Sequence, residues 1–330
     1  MKQFSFRVSL CFLVAFLVGT TIAQALTVYS GRNEAFVGPV IDAFEIATGI
    51  DVEVRYGKSS PLAALLLEEG TASPADVFLS QDAGALGAVA EALLLDVLPD
   101  GILNHVEARF RSDSGQWVGV TGRARVLVVG ASVPQADYPA SVFDLTDEKY
   151  RGRVGWAPTN ASFQSFVTAM RNIYGDAQTG DWIRGMIAND TQIYPKNTPQ
   201  VDAAGRGEID FGLVNHYYLY RFTSTDPDFP ALNYYLPDAD IGSLINVAGA
   251  GVLSSSDNSE TARRFIEFLL SHTSQLHFAS SVNEYPLVEG VPANPGLVPL
   301  SDLDTPDIDL SDLSDLQGTL DLLLETGALD

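Results

Sequence analysis

Cysteine is almost missing from this 330-residue chain, and the single one, Cys11, sits in an apolar N-terminal stretch. If that stretch is a leader, the working protein carries no thiol, which excludes disulfides, cysteine-zinc sites, iron–sulfur clusters and cysteine nucleophiles. Histidine is scarce as well: His105, His216, His272 and His277 contain no H-x-x-x-H pair, which argues against a multi-histidine zinc site. Positive charge is short, with 19 Lys and Arg against 42 Asp and Glu and a formal charge of −23. Such a surface repels nucleic acid and anionic lipid. It suits cationic ligands, or it is simply a device for solubility. Catalytic signatures are absent too: there is no G-x-S-x-G elbow, no H-E-x-x-H and no G-x-x-x-x-G-K-[ST] loop. Internal repeats and low-complexity linkers are also lacking.

One apolar run stands out, residues 8–18, and it is too short for a span of roughly 20 residues. Lys2 and Arg7 precede it, and Ala23-Gln24-Ala25 follows. That order predicts an exported chain with a signal peptide cleaved after Ala25. Cys11 is no lipid-attachment site, because Leu10 stands where a small residue is needed. Without Lys2 and Arg7 the mature charge moves from −23 to −25.

The mature chain opens as a strand, Leu26-Thr27-Val28-Tyr29-Ser30, that turns at Gly31. Phe36, Val37, Val40, Ile41 and Phe44 then recur at helical spacing, with Gly49 as the C-cap. Residues 50–56 alternate as a strand, Pro61 opens a second helix, residues 75–79 form a third strand, and residues 83–94 a third helix. Such alternation predicts an α/β protein with a parallel sheet. Further on, residues 119–129 read as a long β segment and 153–156 as a short strand before a turn. A helix over 163–174 follows that turn, then a strand over 208–214, an apolar strand over 245–253, an amphipathic helix over 261–270 and a Leu-rich helix near 316–324.

The strand at 208–214 runs into Asn215-His216-Tyr217-Tyr218-Leu219-Tyr220. Adjacent side chains point to opposite faces in a strand and diverge in a helix. Tyr217 and Tyr218 therefore address one point only where strand breaks into helix, as here. Phenolate oxygen is a hard donor suited to hard, highly charged cations, and such a cation deprotonates the groups that bind it. A tyrosine pair without cysteine thus favours Fe(III) over Zn(II) or Cu(I). Read without that chemistry, Tyr217, Tyr218 and Tyr220 are core or rim aromatics.

Several segments together carry a resemblance over nearly the whole mature chain: Val28-Tyr29-Ser30-Gly31-Arg32, Ser73-Pro74-Ala75-Asp76-Val77-Phe78, Gly122-Arg123-Ala124-Arg125-Val126, Tyr150-Arg151-Gly152-Arg153-Val154-Gly155, Gly207-Glu208-Ile209-Asp210, Val214-Asn215-His216-Tyr217-Tyr218 and Glu284-Tyr285-Pro286-Leu287. The chain resembles the bacterial ferric-ion-binding periplasmic proteins, the solute receptors of iron(III) ABC transporters. The resemblance implies the class II, transferrin-like periplasmic-binding fold: two α/β lobes joined by two hinge strands, with iron in the cleft. The hinge strands are expected near residues 125–129 and 246–251. Lobe one would hold residues 26–124 plus 247–330, and lobe two residues 125–246.

The resemblance also implies Tyr217 and Tyr218 as metal ligands. Some relatives add a histidine and a glutamate, where this chain has Asn33 and Gln81, and others a third tyrosine near Ser162, absent here. Two protein ligands leave a ferric sphere incomplete, so a synergistic anion is expected: carbonate, phosphate or citrate. The turn Thr159-Asn160-Ala161-Ser162 precedes a helix, whose free N–H groups attract anions or accept plain N-capping. Family members hold the anion at this turn and at two asparagines, here Asn197 and Asn215. Arg32 and Arg123 would add guanidinium contacts or serve structural salt bridges. Asp82 and Glu34, beside Gln81 and Asn33, would supply a carboxylate or simply begin helices. His216 reads as structural, and Tyr220 as a cleft or packing phenol. An inner-membrane ABC permease is the implied partner and the chain is expected to be a monomer. Two other readings stay open: the same fold holding an organic anion such as a phosphonate, or a preformed ferric chelate, and a secreted enzyme.

Overall fold

The computed structural model describes residues 25–329. The signal-peptide expectation concerns residues outside this range, except for Ala25.

Lobe one begins with β1 (Leu26–Ser30), α1 (Glu34–Thr48), β2 (Val52–Tyr56), α2 (Ser59–Glu69), β3 (Val77–Ser80) and α3 (Ala83–Glu91). β1 lies between β2 and β3, parallel to both. α1 buries Val37, Val40, Ile41 and Phe44, the periodic face seen in the sequence. It starts at Asn33, whose side chain accepts a hydrogen bond from the Ala35 N–H, and ends at Gly49 with φ 70°. A side chain there is strained by the left-handed backbone. Gly49→Ala is therefore expected to cost about 1 kcal/mol, read from the urea unfolding midpoint.

A short helix, α4 (Asp100–Leu103), leads to β4 (Val118–Gly130), a fully buried strand of 13 residues. At about 3.3 Å per residue such a strand is long enough to run through both lobes. β5 (Val154–Trp156), α5 (Ala161–Ala188), β6 (Gln192–Ile193), α6 (Asn197–Gly205), β7 (Phe211–Asn215), α7 (Tyr217–Thr223) and β8 (Ala231–Tyr234) build lobe two. β9 (Ile245–Val252) returns the chain to lobe one. There α8 (Ser259–Leu269), α9 (His272–His277) and β10 (Tyr285–Pro286) follow, and α10 (Leu316–Glu325) closes the described chain.

The strands form one mixed sheet in the order β2-β1-β3-β9-β4-β7-β5-β6, with β10 and β8 also on β4. β4 pairs with β9 from Val118 to Ala124 and with β7 from Arg125 to Val129. The change of partner falls between Ala124 and Arg125, and the Arg125 N–H donates to the Leu244 carbonyl just before β9 begins. The two connecting strands thus lie side by side, and the class II two-lobed architecture follows from this exchange of neighbours.

Helix α5 outruns its expected end near residue 174. Gly175, at φ 79° and ψ 163°, kinks it, and the helix resumes to bury Trp182, Ile183 and Met186. The apolar face beyond the kink is packed and carries the helix on. The final segment bridges the lobes: the turn at Leu310–Ser314 packs on α3, and α10 packs on α5. The lobes also meet directly. The Ser60 hydroxyl donates to Gln164 Oε1 at 3.1 Å, and the Ser165 hydroxyl to Asp82 Oδ1 at 2.9 Å. Among the described residues, no helix is long and apolar enough to cross a membrane.

Candidate metal and anion site

β7 ends at Asn215 and α7 begins at Tyr217, so the tyrosine pair stands at the strand-to-helix break that the sequence indicated. The rings stack with centroids 4.3 Å apart and planes at 30°. Tyr217 is 1% exposed and its hydroxyl has no hydrogen-bond partner, although it is buried. Buried polar atoms are nearly always paired, so an orphan hydroxyl marks a place where a ligand is due. Burial above all, with help from neighbouring Tyr218, raises the Tyr217 pKa well above the ordinary phenol value, against the opposing pull of Arg123 and Arg32. The free protein therefore keeps this phenol protonated, and it ionises only against a compensating cation.

Tyr218 lines an interlobe cavity of about 240 Å³. From lobe one, Gly31, Arg32, Asn33, Lys58, Ser59 and Gln81 reach it; from lobe two, Thr159, Asn160, Ala161 and Lys196. The close approach at its wall needs glycine: a Cβ on Gly31 would lie 2.1 Å from Ser59 Oγ. Asn33 and Asn160 spend their side-chain oxygens on capping, accepting from the Ala35 and Ser162 N–H groups. The Gln81 N–H donates to Ser59 Oγ. Neither Asn33 nor Gln81 places a carboxylate or imidazole at the cavity.

Other residues singled out in the sequence lie behind this wall or away from it. Asn197 and Asn215 are buried, and each has an unpartnered Nδ2. Ser162 is turned to Arg123, whose Nη1 is 3.4 Å from its hydroxyl, while Arg123 Nη2 donates to the Val247 carbonyl and Nε has no partner. Asp82 caps α3 through Oδ1, which is the helix-start role, and does not line the cavity. Tyr220 is also outside it: its hydroxyl donates to the Gly296 carbonyl at 2.8 Å, and its ring borders a separate hollow with Phe36 and Arg221. The cleft expectation for Tyr220 is corrected accordingly, whereas Asp82 meets Ser165 of lobe two through Oδ1 and keeps a buried Oδ2 without a partner. His216 is buried between the Ala124 backbone and the Asn283 carbonyl, and burial pushes its pKa down to about 4. It is a neutral structural histidine, as the sequence suggested.

Sequence reasoning missed Glu284. Its two oxygens accept from both Nη atoms of Arg32, at 2.9 and 2.7 Å, and Thr121 Oγ1 donates to it at 2.6 Å. Burial alone would raise the Glu284 pKa, but Arg32 outweighs burial and holds it below the usual carboxylate range. The guanidinium of Arg32 is thus committed to Glu284, which is its structural role. Arg125 was also missed as a site neighbour. It hydrogen-bonds the Ser162 carbonyl and lies over the Phe166 ring at 4.6 Å, holding the start of α5 against the hinge strand. Burial, then the like charge of Arg123, pushes its pKa down to about 9, which leaves it charged at neutral pH. Glu284 was visible only as part of a motif; nothing near it announces a partner 252 positions away. Among the described residues, no group of three or more His, Cys, Asp or Glu side chains is placed to hold a metal ion.

Two α/β lobes around a polar cavity, joined by adjacent strands, are the architecture of a two-lobed binding protein. The sequence profile described as bacterial extracellular solute-binding protein matches residues 26–281. A Fe(3+)-binding periplasmic protein of Serratia marcescens is 33% identical over 311 residues, covering 93% of this chain and 91% of that one. The major ferric iron-binding protein of Neisseria meningitidis serogroup A is 34% identical over 322 residues, covering 96% and 97%. The crystal structure of iron-bound HitA from Pseudomonas aeruginosa matches with a TM-score of 0.88 at 34% identity, covering 92% of this chain and 99% of that chain. The chain belongs to the bacterial extracellular solute-binding proteins, within the periplasmic ferric-iron-binding group.

Proposed function

We propose that this protein captures ferric iron outside the cytoplasm, with the Tyr217 and Tyr218 phenolates as its metal ligands, and delivers it to an ABC importer. The observation that carries this reading is the stacked pair, one of whose hydroxyls is buried without a partner. A trivalent cation supplies the missing interaction and the charge that ionises both phenols. The names of the relatives support the cargo: they are ferric-iron-binding proteins. Two phenolates leave most of the ferric sphere open. A synergistic anion fills it, set against the positive end of the α5 dipole and the unpartnered amides of Asn197 and Asn215. Lobe two holds the tyrosines and this turn, so the cargo docks there first. Lobe one then closes over it, bringing Asn33 and Gln81 to the cavity. Export through cleavage after Ala25, with the mature chain working as a monomer beside an inner-membrane permease, completes the reading.

The test is the tyrosinate-to-iron charge-transfer band in visible light. It is expected when purified protein receives ferric salt with bicarbonate or citrate, with one iron per chain by metal analysis. A colourless protein under both conditions overturns the proposal.

A further inference from the structure

The helix that carries the tyrosine pair has a second bonded side. His216, at the N-cap of α7 with helical backbone angles, and Tyr220 are four residues apart and lie on one side of the helix. The His216 Nδ1 accepts from the Ala124 N–H of the hinge strand at 3.1 Å, which leaves the ring proton on Nε2. That Nε2–H donates to the Asn283 carbonyl at 2.8 Å. The Tyr220 hydroxyl donates to the Gly296 carbonyl, also at 2.8 Å. The His216 backbone is fixed as well: its N–H donates to the Ala124 carbonyl, and its carbonyl accepts from Asn233 Nδ2 at 2.8 Å. All four polar groups of His216 are therefore engaged, by three separate segments of the chain. The acceptors are anchored in turn. Asn283 stands in the left-handed region at φ 61°, its side-chain oxygen accepts from Asn294 Nδ2, and the next residue is the Glu284 that pairs with Arg32. The Tyr285 ring lies against His216 with centroids 4.7 Å apart, and its hydroxyl donates to the Val298 carbonyl.

β7 and α7 belong to lobe two, whereas Asn283, Tyr285 and Gly296 belong to the segment that β10 fastens to the lobe-one half of β4. The phenol pair is thus carried by one lobe and tied to the other. The seven-residue α7 is too short to hold its own shape, and the Tyr217 hydroxyl has no partner to fix it. The aim of the rings therefore depends on the groups that grip the helix. We propose that His216 and Tyr220 are positioning residues, which register the start of α7 to lobe one and so set where the two phenol oxygens stand. This rests on the iron reading above and adds to it the residues that fix the geometry of the metal site. Neither side chain lines the interlobe cavity. Their effect passes through the backbone, since His216 immediately precedes Tyr217 and any rotation of the strand-to-helix break moves both hydroxyls together. A binding constellation must be held to within about 0.5 Å of its productive geometry, and bonds to two lobes hold α7 more firmly than bonds to one.

The variants are Tyr220→Phe, His216→Phe and His216→Gln, made in the mature protein and loaded with ferric salt and bicarbonate. Phenylalanine keeps the bulk of each ring and removes its hydrogen bonds. Glutamine at position 216 brings an amide N–H to the place of Nε2 and donates again to the Asn283 carbonyl. The measurement is iron release to excess chelator, followed by loss of the visible band. Tyr220→Phe should speed release about fivefold, the size of one net hydrogen bond. His216→Phe, which breaks two side-chain bonds, should speed it about twenty-fivefold and shift the band. His216→Gln, which restores one of the two, should speed it only about fivefold. Thermal unfolding of the iron-free proteins verifies that each variant folds. Tyr220→Phe gives up one hydroxyl of a half-buried residue outside the cavity, so it decides the matter even where a His216 variant fails to fold. A purely structural role lowers the unfolding temperature and leaves release and band as in wild type. That result in a folded Phe variant overturns the proposal, as does a His216→Gln protein that releases iron as fast as His216→Phe. A wild type that develops no visible band overturns the iron reading and the positioning role with it, so the two failures are told apart by the wild type alone.

Discussion

Replacing Tyr217 and Tyr218 together by Phe is expected to abolish the visible charge-transfer band and lower ferric affinity by on the order of a thousandfold or more. The same change should leave the iron-free protein folded. Phenylalanine keeps the ring stack at 4.3 Å and the edge-on contact of Tyr217 with Phe36 at 6.0 Å. It removes a buried hydroxyl that has no partner, so the iron-free Tyr217→Phe protein should be as stable as wild type or up to about 1 kcal/mol more stable. Equilibrium urea unfolding without iron, set beside iron titration, separates the possibilities. Two core tyrosines of purely structural value would lose little iron binding. A ligand pair loses iron and keeps or gains stability, the usual signature of a site whose groups are held ready for cargo.

The second large effect concerns stability. Glu284→Ala should destabilise the protein by about 3–5 kcal/mol, because it strands the Arg32 guanidinium, 4% exposed, without its bidentate partner. Chemical unfolding measures this directly. Replacing both partners by apolar residues should cost clearly less than removing the carboxylate alone, since no charge is then left buried. The pH dependence follows from the same pair. The folded-state pKa of Glu284 is depressed, so its stabilising contribution is in place above the ordinary glutamate value of about 4.3 and is lost as the pH falls through the lower folded value. A Glu284→Ala protein no more fragile than wild type would remove the pair from the framework of the site. Because Glu284 also bears on Tyr217 electrostatically, iron binding should be compared only among variants shown to be folded.

Local pattern carried much of the fold. The apolar face of α1 and its glycine cap, the alternation of strands and helices in lobe one, and the break between β7 and α7 all arise within a few residues of one another. The tyrosine pair was legible for the same reason, since the geometry that aims both rings is set by the strand end next to them. Less of the surrounding site was legible. Arg32 looked equally like an anion contact and a salt-bridge partner, and the choice depends on Glu284, which the pairing of β10 with β4 brings into place from 252 positions away. Tyr220 had the right neighbours in sequence, but a backbone carbonyl claims its hydroxyl. The bonds of His216 and Tyr220 to lobe one carried no sequence signal at all, because their acceptors are backbone carbonyls 67 and 76 positions away.

By itself, then, the sequence determined the α/β class, the absence of cysteine beyond Cys11 and the place of the paired phenols, because periodicity, composition and a local backbone break express these, while the two-lobed form was what the family resemblance implied. Only the tertiary structure decided which charges surround those phenols. Electrostatic neighbours depend on distance in space, and here they come from segments as distant as Arg32 and Glu284, or from two lobes that line one cavity.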